Sequence, residues 1–175
     1  TCGCPSAPVT DGTLCSDGLC AANTQCSAGR CGTLTECFTE SANISIDRYH
    51  ACVRSAAGKA YCWGYNGSGR LGDGTTIERR GPVEVQGLSD IREIATGDFF
   101  TCAIVGSGEL YCWGNGAGSR LGTGSATDQY VPVQIAGIST AIQLAVGDSH
   151  ACVVLANGTV QCWGAGAAGR LGDGA

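Results

Sequence analysis

Thirteen cysteines and two histidines are the residues of this chain best equipped for chemistry. Thiols in that number can ligate a metal, run redox exchange or form disulfides, and their spacing decides among these. Zinc sites favour Cys-x-x-Cys, which occurs nowhere in the sequence, and the Cys-x-x-Cys-His signature of covalent haem is missing with it. Disulfides remain, and thirteen thiols spread along a chain point to an oxidising compartment, extracellular or cell-surface. His50 and His150 share one repeat position, which Phe100 fills in a middle copy, so a common structural place is expected for them. No Ser-His-Asp order, His-Glu-x-x-His, P-loop or paired-carboxylate pattern is found, so no catalytic residue, metal site or cofactor is expected, and no enzyme.

Composition narrows the partners. The net charge is −5, with ten basic residues dispersed along the chain and only Arg79 and Arg80 adjacent, which leaves no stripe to neutralise phosphates and excludes nucleic acid. No apolar run approaches the ~20 residues of a transmembrane helix. The chain opens on Thr1-Cys2-Gly3-Cys4 without Met or a signal peptide, so a processed or partial chain is expected. Glycine supplies 29 of 175 residues and charged residues only 14%, a combination that disfavours helical bundles.

The elements that position the cysteines follow from a repeat of 50 residues. Cys-Trp-Gly stands at 62–64, 112–114 and 162–164, and Gly-or-Ser, Arg, Leu, Gly at 69–72, 119–122 and 169–172. Cys52, Cys102 and Cys152 keep the same step. Thr101–Val105 and Glu109–Trp113 read as strands of a hairpin around Gly106-Ser107-Gly108, which sets Ile104 opposite Leu110 and Cys102 opposite Cys112. Folding about Ala57 and Asn157 likewise opposes Cys52 to Cys62 and Cys152 to Cys162. Opposed positions of antiparallel strands lie within disulfide reach, so three pairs are expected: 52–62, 102–112 and 152–162. Gly58, Gly108 and Gly158 take the turn slot where a left-handed residue closes a three-residue loop. A strand precedes each hairpin (Ile91–Ala95, Ala141–Val146) and one follows (Pro82–Val85, Pro132–Ile135), with the proline at its start.

Four short up-and-down strands in about 50 residues make one propeller blade. The expected fold is all-β: a partial β-propeller of about three four-stranded blades at residues 38–87, 88–137 and 138–175, two complete and the third incomplete. Residues 1–37 precede it as a small Cys-rich module with Cys2, Cys4, Cys15, Cys20, Cys26, Cys31 and Cys37. That segment is poor in aliphatic residues, so crosslinks must order it, with a pairing that spacing does not choose. The odd thiol pairs with a second chain, with residues outside this sequence, or stays free; a lipid anchor near Cys2 or Cys4 is a weaker alternative.

The segments Gly147–Val154, Asn157–Gly164 and Gly169–Gly172 resemble the repeat of the regulator of chromosome condensation family, and the likeness recurs over residues 38–175. The resemblance implies a seven-bladed β-propeller. It implies no single activity, since that family fold hosts a nuclear nucleotide-exchange factor, a plant ultraviolet photoreceptor and secreted β-lactamase inhibitors. Paired cysteines belong to its extracellular variants. Asp47-Arg48 departs from the Gly-Asp of the other copies, and Asp, which tolerates left-handed backbone, is expected to keep that corner. The third copy stops before its last strand, so residues beyond Ala175 or neighbouring chains are expected to complete the ring.

Arg70, Arg120 and Arg170 recur in register. They either form a positive ring that grips an acidic partner or a carboxylate ligand, or each stacks or hydrogen-bonds within its own blade near the Trp seven residues earlier; the second reading is favoured. Trp63, Trp113 and Trp163 are expected between blades. Asp73-Gly74 and Asp173-Gly174 read as turns, and Asn43, Asn66 and Asn157 head glycosylation-type triplets of little weight. These features favour a secreted or cell-surface module that binds an unidentified protein or surface ligand. The alternatives are a structural subunit of an extracellular assembly, self-associating through the incomplete propeller or the odd cysteine, and an inhibitor of a secreted enzyme.

Overall fold

A computed structural model describes residues 43–174, and the Cys-rich segment with its seven cysteines lies outside the described residues. Three antiparallel sheets follow one another along the chain. The first holds β1 (Asn43–Ile46), β2 (His50–Arg54), β3 (Ala60–Gly64) and β4 (Arg79–Glu84), paired in that order. The second repeats it with β5 (Ile91–Thr96), β6 (Phe100–Val105), β7 (Leu110–Gly114) and β8 (Gln129–Gln134). The third has β9 (Ala141–Val146), β10 (His150–Leu155) and β11 (Val160–Gly164). The fold is all-β and blade-like, two sheets of four strands and one of three.

Each central hairpin closes as its turn chemistry requires. The Val105 amide donates to Glu109 O and the Gly108 amide to Val105 O, with Gly108 at φ 97°. Only glycine takes that conformation without strain, and Gly58 and Gly158 repeat it at 72° and 84°. The resulting register opposes Cys52 to Cys62, Cys102 to Cys112 and Cys152 to Cys162. Each pair is joined by a disulfide across a Cα separation of 4.1 Å. Closing so short a loop is worth about 2–3 kcal/mol on the chain-entropy model.

Two expectations about the strand ends change. Pro82 and Pro132 do not begin their strands; each is the fourth residue of β4 or β8. The register shifts between Cys62 and Gly64, and again between Cys112 and Gly114, so both prolines sit in bulges on outer strands where their missing N–H breaks no ladder. Asp47 is not left-handed either, since the only non-glycine residues at positive φ among the described residues are Asp90, Ser119 and Ala168. Its carboxylate holds the corner instead, Oδ1 accepting from the amides of Tyr49 at 2.6 Å and His50 at 3.1 Å. At the corresponding corner Gly97 is needed for space, because a Cβ there would run into the carbonyl oxygen of Gly147.

The sheets pack face to face through two apolar cores. Cys52, Cys62, Leu71 and Val85 of the first meet Ile91, Ile94, Ala103 and Trp113 of the second. Phe100, Cys102, Leu110, Cys112 and Leu121 of the second meet Leu144, Ala151 and Val153 of the third. The first strands of successive sheets are stitched by side chains: Asn43 Oδ1 accepts from the Ile94 amide, Ser45 Oγ from Thr96, and Glu93 Oε2 from Leu144. Burial raises the Glu93 carboxyl above its ordinary range against this last hydrogen bond.

The recurring motifs form a knob and its socket between sheets. Trp113 Nε1 donates to Arg70 O at 2.9 Å, and Trp163 Nε1 to Arg120 O at 3.0 Å. Leu71 and Leu121 are fully buried beside them. Gly72, at φ 71°, lies so close that a Cβ would stand 2.7 Å from the Trp113 indole nitrogen. Gly87 shares the left-handed backbone, at φ 74°, but faces open space. Gly87→Ala is therefore expected to lose about 1 kcal/mol for backbone strain alone. Gly72→Ala should lose about 1–3 kcal/mol more for overpacking. Urea unfolding with the disulfides intact measures both, and equal losses would refute the socket.

Candidate functional site

The joint between the first two sheets carries a buried polar chain that spans 66 residues of sequence, from Asp47 to Trp113. His50 Nδ1 lies 2.8 Å from Asp47 Oδ2, at ion-pair distance but off the hydrogen-bond axis. His50 Nε2 stands 2.7 Å from Thr101 Oγ1. The Thr101 hydroxyl donates its one proton to Arg70 O at 2.9 Å, the carbonyl that also receives the Trp113 indole. The Thr101 oxygen therefore accepts from His50, which fixes Nε2 as a donor. Burial works to raise the Asp47 carboxyl, but the His50 side chain and the amides of Tyr49 and His50 outweigh it and hold it below the ordinary carboxylate range.

Acid, imidazole and hydroxyl in this order match the relay of a hydrolase, a constellation that no linear motif revealed. Two features exclude that chemistry. The hydroxyl proton points at a carbonyl rather than at the imidazole, and Thr101 is fully buried, so no substrate carbonyl can approach it. The chain is a joint between sheets. The sequence signal for it is a contact offset of 51 residues, from His50 to Thr101. The same offset takes Phe100 to Ala151, and both are buried in the second core. A polar pair in one joint is thus an apolar pair in the next.

Above this joint, the β1–β2 and β5–β6 turns and the β3–β4 and β7–β8 loops bring arginines and aromatic rings together. The Arg70 guanidinium lies 4.8 Å from the Tyr65 ring centroid, 5.6 Å from Tyr49 and 5.9 Å from Phe99. Arg120 lies 4.6 Å from Phe99. Tyr49, Tyr65 and Phe99 remain 43%, 49% and 36% exposed. Arg70 is 3% exposed; one Nη donates to Asp98 O, and its buried Nε has no partner. Burial pushes its guanidinium down against the attraction of Asp47 and Asp98.

The three recurring arginines thus occupy unlike surroundings. Arg70 is buried under rings, Arg120 is half-buried on one ring, and Arg170 is exposed, with Ser149 in the third sheet at the repeat position that Phe99 fills in the second. Their ring partners are the turn aromatics. Tryptophan meets the arginine main chain instead, and comes from the following sheet.

A second polar knot joins the β3–β4 loop to the first residue of β4. Asp73 accepts from Asn66 Nδ2 at 3.0 Å, from the Thr75 hydroxyl at 2.8 Å and from Arg79 at 2.7 Å. Burial tends to raise its carboxyl, but hydrogen bonds from Thr75, Arg79 and Asn66 hold it low. Asn66 is fully buried and hydrogen-bonded at both ends of its amide, so it is closed to modification. Asn43 is half-buried in β1, and Asn157 is exposed in a hairpin turn. No cluster of metal-ligating side chains occurs among the described residues.

The family model described as the regulator of chromosome condensation (RCC1) repeat matches residues 57–104 and 107–154, and a second model of the same description matches 141–170. Each long match begins in one sheet's central hairpin and ends in or beside the next sheet's second strand, so the sequence repeat straddles two blades. Human WBSCR16 is similar at 23% identity and TM-score 0.65, over 71% of this chain and 33% of that one. Prp20p from Saccharomyces cerevisiae is similar at 23% identity and TM-score 0.67, over 78% and 36%. The chain spans about a third of the length of these structures, whose likeness is one of fold.

Two outcomes are expected of the joint. His50→Phe and Thr101→Ala should each destabilise the protein, while the double variant, which copies the Phe100–Ala151 pairing, recovers much of the loss; the coupling should be about 1–3 kcal/mol in a double-mutant cycle. Zero coupling would mean that the two sites do not meet. Because the folded Asp47 pKa is depressed, its stabilisation is present above the ordinary value of about 3.9 and lost as pH falls through the folded value. Asp47→Asn should therefore flatten the loss of stability below pH about 4, measured by denaturant unfolding across pH.

Proposed function

Because the chain belongs to the regulator of chromosome condensation (RCC1) repeat family, we propose that it is a non-catalytic interaction module of an oxidising compartment, extracellular or cell-surface. Its partner-facing surface is the crest of Tyr49, Tyr65 and Phe99. The observation that carries this reading is the exposure of those three rings over a rigid base. Arg70 supports all three from below, and Arg120 braces Phe99. Aromatic residues and arginine are enriched at binding hot spots, and rings held in place lose little entropy on docking.

Three disulfides support the compartment, since cytosolic thiols are kept reduced. They also make a nuclear exchange-factor role a poor fit. The fold is compatible with protein recognition: the Prp20p structure was described with its binding properties to Gsp1p and histones. A second reading, an assembly subunit, draws on the outward faces of the terminal sheets, where Ile44, Ile46 and Val160 are exposed. The Cys-rich residues 1–37 are read as a disulfide-stapled adaptor ahead of the blades.

The test is affinity capture from the secreted fraction of the source cells, comparing the wild-type chain with Tyr65→Ala/Phe99→Ala. A bona fide partner should be retained roughly 30-fold less by the double variant, the equivalent of about 2 kcal/mol. Equal retention would place the binding surface elsewhere.

A further inference from the structure

Phe99 is reached by two guanidinium groups, one from each of the first two sheets. Arg120 Cζ lies over this ring at 4.6 Å from its centroid, which makes the ring a shelf for it, and its Nε is tied to Ala117 O at 2.6 Å. Its terminal amino groups have no acceptor among the described residues, and it forms no ion pair there. Asp128 is the carboxylate whose field reaches it, but Asp128 Oδ1 accepts from the Gly116 amide. Arg70, almost wholly buried 5.9 Å from the same ring centroid, keeps an unpartnered Nε. A partly desolvated guanidinium with no direct ion pair is costly, and a fork already tied at Nε by a carbonyl and set over a ring is ready to take two oxygens at once.

We propose that Arg120, shelved on Phe99 beside Arg70, is the docking point for an Asp or Glu side chain of the partner protein. The inference rests on the interaction-module reading and adds to it the chemistry recognised. Three observations select a carboxylate. The chain carries net charge −5, and Asp47 and Asp98 lie close enough to act on Arg70, so a doubly charged phosphate group is repelled more than a single carboxylate. The free fork on Arg120 matches one planar anion. Tyr49 and Tyr65, in contact at 6.2 Å between centroids, flank the site with apolar surface suited to a polypeptide. Arg170 does not share the role: its Nε is tied in the same way, to Ala167 O, but Ser149 offers it no shelf.

The test uses the full chain labelled with ¹⁵N-arginine and followed by NMR at constant ionic strength. The probe is the peptide acetyl-Glu-Tyr-Glu-amide, with acetyl-Gln-Tyr-Gln-amide and inorganic phosphate as comparisons. The Arg120 side-chain resonance should shift and saturate with the Glu peptide, and the Gln peptide should bind about 10-fold more weakly. Arg120→Lys, which keeps the charge and the main-chain carbonyl but loses the fork, should also lose about 10-fold, while Arg170→Lys changes nothing. An unmoved Arg120 resonance, equal binding of the Gln peptide, or tighter binding of phosphate each overturns the proposal. If capture of the partner still depends on Tyr65 and Phe99 in that case, the carboxylate assignment alone has failed; if that dependence is absent too, the interaction face itself is wrong.

Discussion

One backbone oxygen holds two sheets together. Arg70 O receives both the Trp113 indole and the Thr101 hydroxyl, so a single carbonyl in the β3–β4 loop of one sheet fixes two strands of the next. A loop carbonyl buried without partners is expensive, and here the partners come from a residue 43 positions downstream and another 31 downstream. The requirement propagates outward. The loop must present that oxygen, which calls for the left-handed glycines at 69 and 72, and the Trp ring must lie close over Gly72, where a side chain would collide. Arg120 O and Trp163 repeat the arrangement at the second joint.

The same joint positions the candidate binding face. Burial of the Arg70 main chain brings its guanidinium up beneath Tyr49, Tyr65 and Phe99, so the crest is a by-product of sheet packing with a use of its own. The two joints solve the remaining space differently. Between the first two sheets, Asp47, His50 and Thr101 fill it with hydrogen-bonded polar groups; between the second and third, Phe100 and Ala151 fill it with apolar surface. Neighbouring blades that share a fold are thereby made chemically distinct, which favours correct pairing of one sheet with the next.

Much of the blade was legible because its contacts are local. Cys52 and Cys62 face each other across a five-residue turn region closed by Gly58, and the hairpin register follows from turn length alone. Local reading misled where a residue's reason lay outside its own hairpin. Pro82 read as a strand start and is a bulge residue, because the ladder partner of β4 shifts there. Asp47 read as a left-handed corner and is an acceptor for two amides. Arg120 and Arg170 hydrogen-bond within their own blades as read, whereas Arg70 donates to Asp98 O of the next, and the tryptophans that meet the Arg70 and Arg120 main chains come from the following sheet.

By itself the sequence determined the 50-residue repeat, the strands and turns within a blade, the opposition of the cysteines, and the family likeness. Those depend on backbone conformational limits and on pairs ten residues apart, which a linear pattern records. Only the tertiary structure decided that Asp47, His50, Thr101 and Arg70 form one buried chain, that Arg120 rests over an aromatic ring, and which aromatic residues stay exposed. Those outcomes depend on contacts far apart in sequence, 21 residues for Arg120 on Phe99 within one blade and 31 to 51 for the buried chain between sheets. Whether a polar or charged group is buried, paired or free is set by the neighbour that packing delivers, not by the residue itself.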